Sequence, residues 1–198
     1  MLNSLHYLKY RIGVSPALTQ TTPAERFTLR HYAEGKERLA EIGVFHGVNT
    51  RVFREVMSPE GVVLAIDPFE RSLFGLRGYG WARKIAHTEV NKVKNGKVLW
   101  IETYGLDAPQ SELVASHLPV DFLFIDGDHS YEGLQGDWKA WKNHVSIGGI
   151  LALHDSRNRD GCGSERFTSE VILQDPDWTV EEVVDSLTVL RKQAKPSD

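Results

Sequence analysis

Acidic and histidine side chains follow two apolar runs of this chain, at the point where each run ends. The runs span residues 120–125 and 150–153, and five such residues come directly after them: Asp126, Asp128, His129, His154 and Asp155. If the two runs are neighbouring parallel strands, these side chains meet at one sheet edge, where open α/β folds bind their ligands. Histidines can exchange protons near neutral pH, and carboxylates can hold cations. We therefore expect the chemistry of the protein at this edge.

A glycine-containing turn follows the first predicted strand. Gly43 and Gly47 lack a Cβ atom and would let the backbone approach a ligand, and Asn49 is a suitable N-cap for the next helix. Their GxxxG spacing differs from the GxGxxG pattern that brings a helix N-terminus to a pyrophosphate. Glu41 better suits a cofactor with a positive group, such as an ammonium or a sulfonium. A tight turn without a ligand is the alternative.

A carboxylate ends the second predicted strand. Asp67 lies twenty residues after Gly47, where an acid can accept hydrogen bonds from the two hydroxyls of a ribose. Because Pro68 follows it, Asp67 can also be read as a simple turn residue. Together with the glycine turn, this acid outlines a site for a nucleoside-type cofactor.

Short apolar strands alternate with longer amphipathic segments along the chain. Strands are predicted at residues 38–45, 62–66, 98–101, 120–125 and 150–153, and a final antiparallel hairpin at 178–184 and 186–191. Helices are predicted at 23–34, 49–57, 81–95, 108–117 and 131–144, the first with Thr22 and Glu25 as a capping signal. This order predicts an α/β fold: a doubly wound, seven-stranded and mostly parallel sheet with helices on both faces.

The remaining side chains are given structural or surface roles. The glycine-rich segment 156–164 is predicted to be a loop above the proposed site, and Asp137 to lie on the polar face of its helix. Trp138 and Trp141 are expected in the core or at an interface, where they or the N-terminal helix could support a homodimer. A solvated helix face is the preferred role for a set of basic residues: Arg71, Arg77, Arg83 and Lys84.

The composition is that of an ordinary globular domain. The chain has 198 residues, of which 41% are hydrophobic and 25% charged. Its net charge of -4 lacks the basic excess expected for a nucleic-acid partner, so a small-molecule partner is expected. The single cysteine, Cys162, excludes an intramolecular disulfide, and the N-terminus has no signal-like apolar segment. With no run long enough for a membrane span, we expect no membrane association and a cytoplasmic location.

The motif FIDGDHSYEG, followed by the His-Asp pair that ends the next apolar run, resembles a class I S-adenosylmethionine-dependent methyltransferase. The similarity is to a family of small-molecule and sugar O-methyltransferases, distantly related to catechol O-methyltransferases, and extends more weakly over residues 41–155. It implies a Rossmann-like S-adenosylmethionine-binding methyltransferase domain at 37–193, after an N-terminal helical cap at 1–36 and before a tail at 194–198.

The resemblance also implies roles for individual residues around the cofactor. The methionine part would lie among Glu41, Gly43 and Gly47, and the ribose would bind Asp67. Asp126 is also expected to contact the cofactor. Candidate neighbours of the adenine follow the second and third strands: Pro68, Phe69, Thr103 and Tyr104.

In the metal-dependent catechol-type enzymes, an acid after strand four and an acid and an amide after strand five hold magnesium. Asp126 and Asp155 match the two acids, whereas Ser156 stands where the amide would be. The lysine base of those enzymes corresponds to His129, which we expect to act as general base together with Asp126 as a catalytic residue. His154 is the alternative base.

The expected function is therefore O-methylation of a small hydroxylated metabolite, such as a sugar or a natural product, with S-adenosylmethionine and a possible Mg²⁺ ion. A non-catalytic module that binds a nucleoside or S-adenosylmethionine is the alternative from another class. A NAD-dependent dehydrogenase is a third interpretation, which the GxxxG spacing disfavours.

Overall fold

A seven-stranded sheet forms the centre of the molecule. In this computed structural model, which describes residues 4–69 and 80–194, the strand order is β3-β2-β1-β4-β5-β7-β6. The strands are β1 Arg38–Ile42, β2 Val62–Ile66, β3 Lys97–Ile101, β4 Val120–Ile125, β5 Val145–Leu153, β6 Trp178–Val184 and β7 Leu187–Lys192. Strands β1 to β5 pair in parallel, and β7 is antiparallel to both β5 and β6. The predicted sheet and its final hairpin are confirmed.

Helices pack on both faces of this sheet. In the described part of the chain they are α1 Ser4–Arg11, α2 Pro23–Ala33, α3 Val48–Val56, α4 Gly80–Val90, α5 Glu112–Ala115, α6 Tyr131–Trp141 and α7 Gly163–Glu170. Successive side chains of β4 enter different cores: Leu123 packs in the cluster that contains Trp138 of α6, and Phe122 packs against Phe53 of α3. Strands buried on both faces are typical of a doubly wound fold, so the predicted fold class is correct.

The capping signal before α2 is confirmed. Thr22 Oγ1 accepts a hydrogen bond from the Glu25 amide, and Glu25 Oε2 accepts one from the Thr22 amide at 2.7 Å. Because this reciprocal pair satisfies two backbone donors, α2 begins at Pro23. Its Leu29 and Ala33 are buried in the core. Both α1 and α2 lie within the predicted N-terminal helical region.

Several predicted boundaries differ from the observed ones for local reasons. The first strand ends at Ile42 rather than at residue 45, because Gly43 and Phe45 have positive φ angles of 90° and 51°. Pro109 lies in a 3₁₀ helix, Gly105–Gln110, which replaces the first part of the helix predicted at 108–117. The helix predicted at 81–95 ends at Val90, and the segment predicted as a loop already contains the start of α7.

Both indoles of α6 are buried. Trp138 is 3% exposed and Trp141 is fully buried, so they pack in the core and offer no surface for a dimer. On the surface, Arg83 pairs with Glu102, as expected for a solvated helix face. Arg71, Arg77 and most of the predicted tail lie outside the described residues. None of the helices in the described part of the chain is long and apolar enough to cross a membrane.

Candidate active site

A cavity of about 560 Å³ opens at the carboxyl ends of β1, β2 and β4. Its walls include the turn after β1, the end of β2 and the segment after β4, which contribute residues 43–45, 67–69 and 126–129. Residues 18–20, before α2, and 104–106, after β3, also line it. The other lining residues are Ile42, Val48, Asn49, Ile66, Ala82, Gly133 and Asp137. Of the five residues predicted at this sheet edge, Asp126, Asp128 and His129 line the cavity, whereas His154 and Asp155 are not part of its lining.

The two glycines of the first turn let backbones approach each other. A Cβ atom on Gly43, which lines the cavity, would lie 2.1 Å from the carbonyl oxygen of Asp126 at the end of β4. A Cβ on Gly47 would lie 2.7 Å from Val90 Cγ2 of α4, and Gly47 is not part of the cavity lining. Close contact with neighbouring segments thus requires glycine at both positions, and Gly43 also faces the cavity, where the sequence predicts a ligand.

Glu41 is completely buried behind the turn. Its Oε2 accepts a hydrogen bond from the Thr50 hydroxyl, while Oε1 has no hydrogen-bond partner among the described residues. Burial raises the pKa of Glu41 well above its usual range, and the nearby acids Asp126 and Asp67 raise it further. Such a carboxyl would be stabilised in its charged form by a cation in the cavity. This fits a cofactor that carries an ammonium and a sulfonium.

The acid at the end of β2 lines the cavity as predicted. Asp67 Oδ2 accepts hydrogen bonds from the amides of Val44 and Phe45, both at 2.9 Å, and Oδ1 accepts one from Phe69 at 2.7 Å. These bonds hold the first turn against the end of β2. Each carboxylate oxygen has two acceptor positions, so Oδ2 is fully occupied and Oδ1 retains one position for a ribose hydroxyl.

The adenine candidates are only partly brought to the cavity. Pro68, Phe69 and Tyr104 line it, whereas Thr103 does not. Instead, the segment after β3 contributes Gly105 and Leu106 to the cavity lining.

His154, at the end of β5, lies between two carboxylates and has a side chain only 1% exposed. Its Nδ1 is 2.7 Å from Asp126 Oδ1, and its Nε2 is 3.4 Å from Glu25 Oε2. Neither ring nitrogen makes an aligned hydrogen bond with a described residue, so these are ionic contacts. Burial by itself lowers the pKa of His154, but the two carboxylates outweigh it and raise the pKa to about 10. This raised pKa favours the imidazolium form, and His154 does not line the cavity, so both observations favour His129 over His154 as the base.

Glu25 is a member of this site that sequence analysis missed. Its Oε1 accepts hydrogen bonds from the amide and hydroxyl of Ser186, in the turn between β6 and β7, at 2.9 and 2.7 Å. Burial would raise the pKa of Glu25, but His154, Thr22 and Ser186 together lower it to about 2. Only its local capping role was visible in the sequence.

His129 lies on the cavity wall, in the segment between β4 and α6, and its side chain is 32% exposed. Its Nε2 is 3.8 Å from Asp126 Oδ1, and its Nδ1 is 3.7 Å from Asp155 Oδ2. Neighbouring Asp128 also lines the cavity and accepts a hydrogen bond from the Ser130 amide at 2.9 Å. Ser130 is the N-cap of α6. The predicted base thus stands between two acids at the edge of the cavity.

The segment after β5 is held by its own contacts. Asp155 Oδ1 accepts a hydrogen bond from Arg159 Nε at 2.7 Å. The Ser156 hydroxyl is buried within hydrogen-bond distance of the Leu153 and Ser186 carbonyls and of the Thr188 hydroxyl, so it is not available to the cavity. Further along, Ser164 donates its amide to the His129 carbonyl at 2.9 Å. The segment therefore supports the backbone of His129.

These contacts bear on the expected magnesium ion. Among the described residues, the side chains whose ligand atoms lie within 4.8 Å of one another are Asp126, His129 and His154, without Asp155. Magnesium prefers oxygen ligands, and two of these three groups are imidazoles. The donor set as it stands does not fit a magnesium ion.

Asp137 is a second residue whose place the sequence did not predict. It is 5% exposed and lines the cavity instead of lying on the polar face of α6. Burial, and to a lesser extent the charge of Asp128, raises its pKa to about 7. The sequence pattern does predict a buried position for Asp137. Its helix has the i, i+3, i+4, i+7 spacing of a buried face, formed by Leu134, Asp137, Trp138 and Trp141.

The doubly wound sheet, the acid after β2 and the cavity at the carboxyl edge together define an α/β enzyme that uses a nucleoside-type cofactor. A family model described as a methyltransferase domain matches residues 40–156. Because this match covers more than half of the chain, the protein belongs to this methyltransferase family. The class I S-adenosylmethionine-dependent enzyme predicted from the sequence is thereby confirmed.

Solved structures share the fold at low sequence identity. An O-methyltransferase from Bacillus cereus in complex with SAH is 19% identical, with a TM-score of 0.61 over 95% of this chain and 90% of that chain. CalS11, a TDP-rhamnose 3'-O-methyltransferase of calicheamicin biosynthesis, is 15% identical, with a TM-score of 0.61 over 84% and 76%. An rRNA methylase from Streptococcus thermophilus is 11% identical, with a TM-score of 0.59 over 89% and 100%. The fold alone thus does not select the acceptor.

Proposed function

We propose that the protein is an O-methyltransferase that transfers the methyl group of S-adenosylmethionine to a hydroxyl of a small metabolite. The observation that carries this proposal is the position of His129, on the cavity wall between the carboxylates of Asp126 and Asp155. A hydroxyl becomes a good nucleophile only as it loses its proton, and an imidazole at the cavity can take that proton.

The residues present suit the cofactor. Glu41 offers an unpartnered buried oxygen behind the turn, Gly43 leaves the cavity wall flat, and Asp67 retains acceptor capacity for the ribose. We assign Gly47 a supporting role behind this turn and Pro68 a place in the cavity wall beside the adenine. Thr103 does not line the cavity. When bound, the cofactor supplies a methyl group attached to a sulfonium. The sulfonium makes the remainder of the cofactor a good leaving group.

The protein's own groups then position the acceptor and move one proton. His129 accepts the hydroxyl proton, and the resulting imidazolium lies 3.8 and 3.7 Å from Asp126 and Asp155. Those carboxylates stabilise the new positive charge as it forms. The cation of His154 keeps Asp126 in place, and Arg159 does the same for Asp155. Asp126 thus orients the base rather than acting as one.

The proposal contains no magnesium-dependent step. Oxygen ligation by Asp126 and Asp155 would compete with His154 and Arg159, which already contact these two carboxylates at 2.7 Å. Proton removal by His129 needs no Lewis acid, because the charge that develops is compensated within the protein.

A small, hydroxylated acceptor agrees with the size and charge of the site. The cavity of about 560 Å³ has to accommodate the cofactor as well as the acceptor. Among the described residues, its charged lining groups are carboxylates and one histidine, which disfavours a polyanionic nucleic acid. The O-methyltransferase and TDP-rhamnose 3'-O-methyltransferase with the same fold support a sugar or natural-product acceptor. We also propose a cytoplasmic location, and a homodimer remains a prediction.

Calorimetry followed by a transfer assay tests the function. We expect SAH to bind, NADH not to bind, and labelled methyl from S-adenosylmethionine to appear on a member of a panel of sugars, nucleotide-linked sugars and phenols. Binding of NADH without binding of SAH would instead indicate the dehydrogenase. Binding of SAH with transfer to no hydroxyl compound would favour the non-catalytic module, and transfer only to amines would contradict O-methylation.

A further inference from the structure

Glu25 carries a buried carboxylate from α2 to the charged residues behind the proposed base. Its Oε2 lies 3.4 Å from Nε2 of His154, and its Oε1 accepts hydrogen bonds from the amide and the hydroxyl of Ser186. The side chain is only 1% exposed. A capping glutamate needs only its contact with the Thr22 amide, which a solvent-exposed side chain can make as well. Its burial against His154 therefore points to a second role.

His154 connects this carboxylate to the acid beside the base. Nδ1 of His154 is 2.7 Å from Asp126 Oδ1, and the same oxygen is 3.8 Å from Nε2 of His129. The centroids of the two imidazole rings lie 6.0 Å apart. Because His154 is buried between Glu25 and Asp126, removal of one carboxylate changes its contact with the other. A change at Glu25 is therefore passed on to the acid that contacts the base.

Both acids beside the base are already paired with a cation. Asp126 contacts the cation of His154, and Asp155 contacts Arg159, each at 2.7 Å, so each pair is neutral. Glu25 adds a third carboxylate, and its ion pair is with the same His154. The group as a whole is thus negative by one charge. In the low dielectric of a buried site, that charge stabilises the imidazolium that the base becomes when it takes the proton of the acceptor hydroxyl.

We infer that Glu25 is a positioning residue: it holds His154 so that Asp126 keeps both its place and its charge beside the base. This inference rests on the proposed function. Glu25 is not among the described residues that line the cavity, so it acts through His154 and not on the acceptor or the cofactor. The N-terminal helical region thus supports the base through this one side chain.

Steady-state kinetics of Glu25→Gln, with the acceptor found in the panel, test the inference. The glutamine keeps the shape of the side chain and an oxygen that can accept from Ser186, and it loses the charge. We expect kcat to fall about tenfold, because a counter-charge of the imidazolium is missing. The KM for the acceptor and the affinity for SAH should each change by no more than about twofold. A purely structural role would lower the amount of folded enzyme and leave kcat per folded molecule unchanged.

Two further variants show the route by which Glu25 acts. Thr22→Ala removes the other half of the capping pair and leaves the carboxylate beside His154, so its kcat should stay within about twofold of the wild type. Glu25→Gln combined with His154→Gln should lower kcat no further than His154→Gln alone, because the carboxylate acts through that ring. An unchanged kcat in Glu25→Gln, an equal loss in Thr22→Ala, or losses that multiply in the double variant would overturn the role of Glu25.

Ser186→Ala decides the question if Glu25→Gln fails to fold. It removes a hydroxyl that donates to Glu25 Oε1 and should lower kcat by about threefold at unchanged affinity for SAH. An unchanged kcat in this variant would count against the positioning role. A wild type that methylates no hydroxyl compound would overturn the proposed function and this inference with it, whereas an active wild type with an unaffected Glu25→Gln would overturn this inference alone.

Discussion

The carboxylate of Glu25 lies 3.4 Å from Nε2 of His154, and both side chains are 1% exposed. Glu25 belongs to the first turn of α2, whereas His154 directly follows β5. A buried imidazolium between two carboxylates is stable only while its counter-charges are in place. This contact therefore ties the N-terminal segment to the residues around the proposed base.

Removing one member of this pair should destabilise the protein strongly. His154→Gln leaves the buried carboxylate of Glu25 without its cation, and we expect it to lower the free energy of unfolding by about 3 kcal/mol. Glu25→Gln should cost less, because His154 keeps its contact with Asp126. The double variant should lose less than the sum, because it removes both charges. Urea unfolding measures all three, with the exposed Glu34→Gln as the control. Strict additivity would show that the two side chains do not interact.

The same pair predicts how stability depends on pH. The folded-state pKa of His154, about 10, is above its ordinary 6.5. Its stabilising contribution is therefore complete below pH 6.5 and is lost as the pH rises toward 10. For Glu25 the pKa of about 2 is below 4.5, so its contribution is complete above pH 4.5 and is lost as the pH falls toward 2.

Urea unfolding as a function of pH measures the alkaline part of this dependence. Between pH 6.5 and 10 we expect the wild type to lose on the order of 2 kcal/mol more than His154→Gln, which has no imidazolium to deprotonate. Parallel curves for the two proteins would contradict a charged His154.

His129→Ala should separate catalysis from cofactor binding. Loss of the general base should lower kcat by about 10²–10⁴-fold, while the affinity for SAH changes by no more than about twofold. Steady-state kinetics with the acceptor found in the panel and calorimetry with SAH give the two values. His31→Ala, at an exposed position on α2, is the matched control. An unchanged kcat in His129→Ala would remove this residue from the role of base.

Metal removal should leave the reaction intact. Because the carboxylates of Asp126 and Asp155 already contact His154 and Arg159, we expect the rate after dialysis against EDTA to stay within about twofold of the untreated enzyme. Added Mg²⁺ should not raise it. A rate that collapses with EDTA and returns with Mg²⁺ would show that the ion displaces these cationic partners.

The fold could be predicted because its signals are local and repeated. Strands such as β4 are buried on both faces and appear as continuous apolar runs. Boundaries were less accurate where one residue changes the backbone: Gly43 ends β1 early, and Pro109 interrupts a predicted helix. The predicted elements occur in the predicted order, but α7, Gly163–Glu170, was not predicted.

The sequence predicted those residues of the candidate site that directly follow neighbouring strands, because the ends of these strands meet at one edge of the sheet. Asp67, Asp126 and His129 follow strands and reach the cavity for that reason. Glu25 was missed because its contact with His154 depends on how α2 packs against the sheet, which no local pattern records. Asp137 was misplaced because its charge was given more weight than its position within the apolar face of α6.

Alanine substitutions of three glycines with positive φ can separate backbone strain from close packing. Gly43, Gly47 and Gly148 have φ angles of 90°, 73° and 77°. A Cβ atom on Gly148 would meet nothing within 4 Å, so Gly148→Ala should cost only the conformational strain, about 1 kcal/mol. On Gly47 the atom would meet Val90 Cγ2 at 2.7 Å, and on Gly43 it would meet the Asp126 carbonyl at 2.1 Å.

We therefore expect the cost to rise in the order Gly148→Ala, Gly47→Ala, Gly43→Ala. The side chain of Val90 can move by a few tenths of an ångström, which limits the second cost to about 3 kcal/mol. The β4 backbone cannot move without shifting Asp126, so Gly43→Ala should be the least stable and should also bind SAH more weakly. Urea unfolding and calorimetry on the three variants measure both effects. Equal costs at all three positions would mean that backbone strain alone, and not the approach of β4 and α4, requires these glycines.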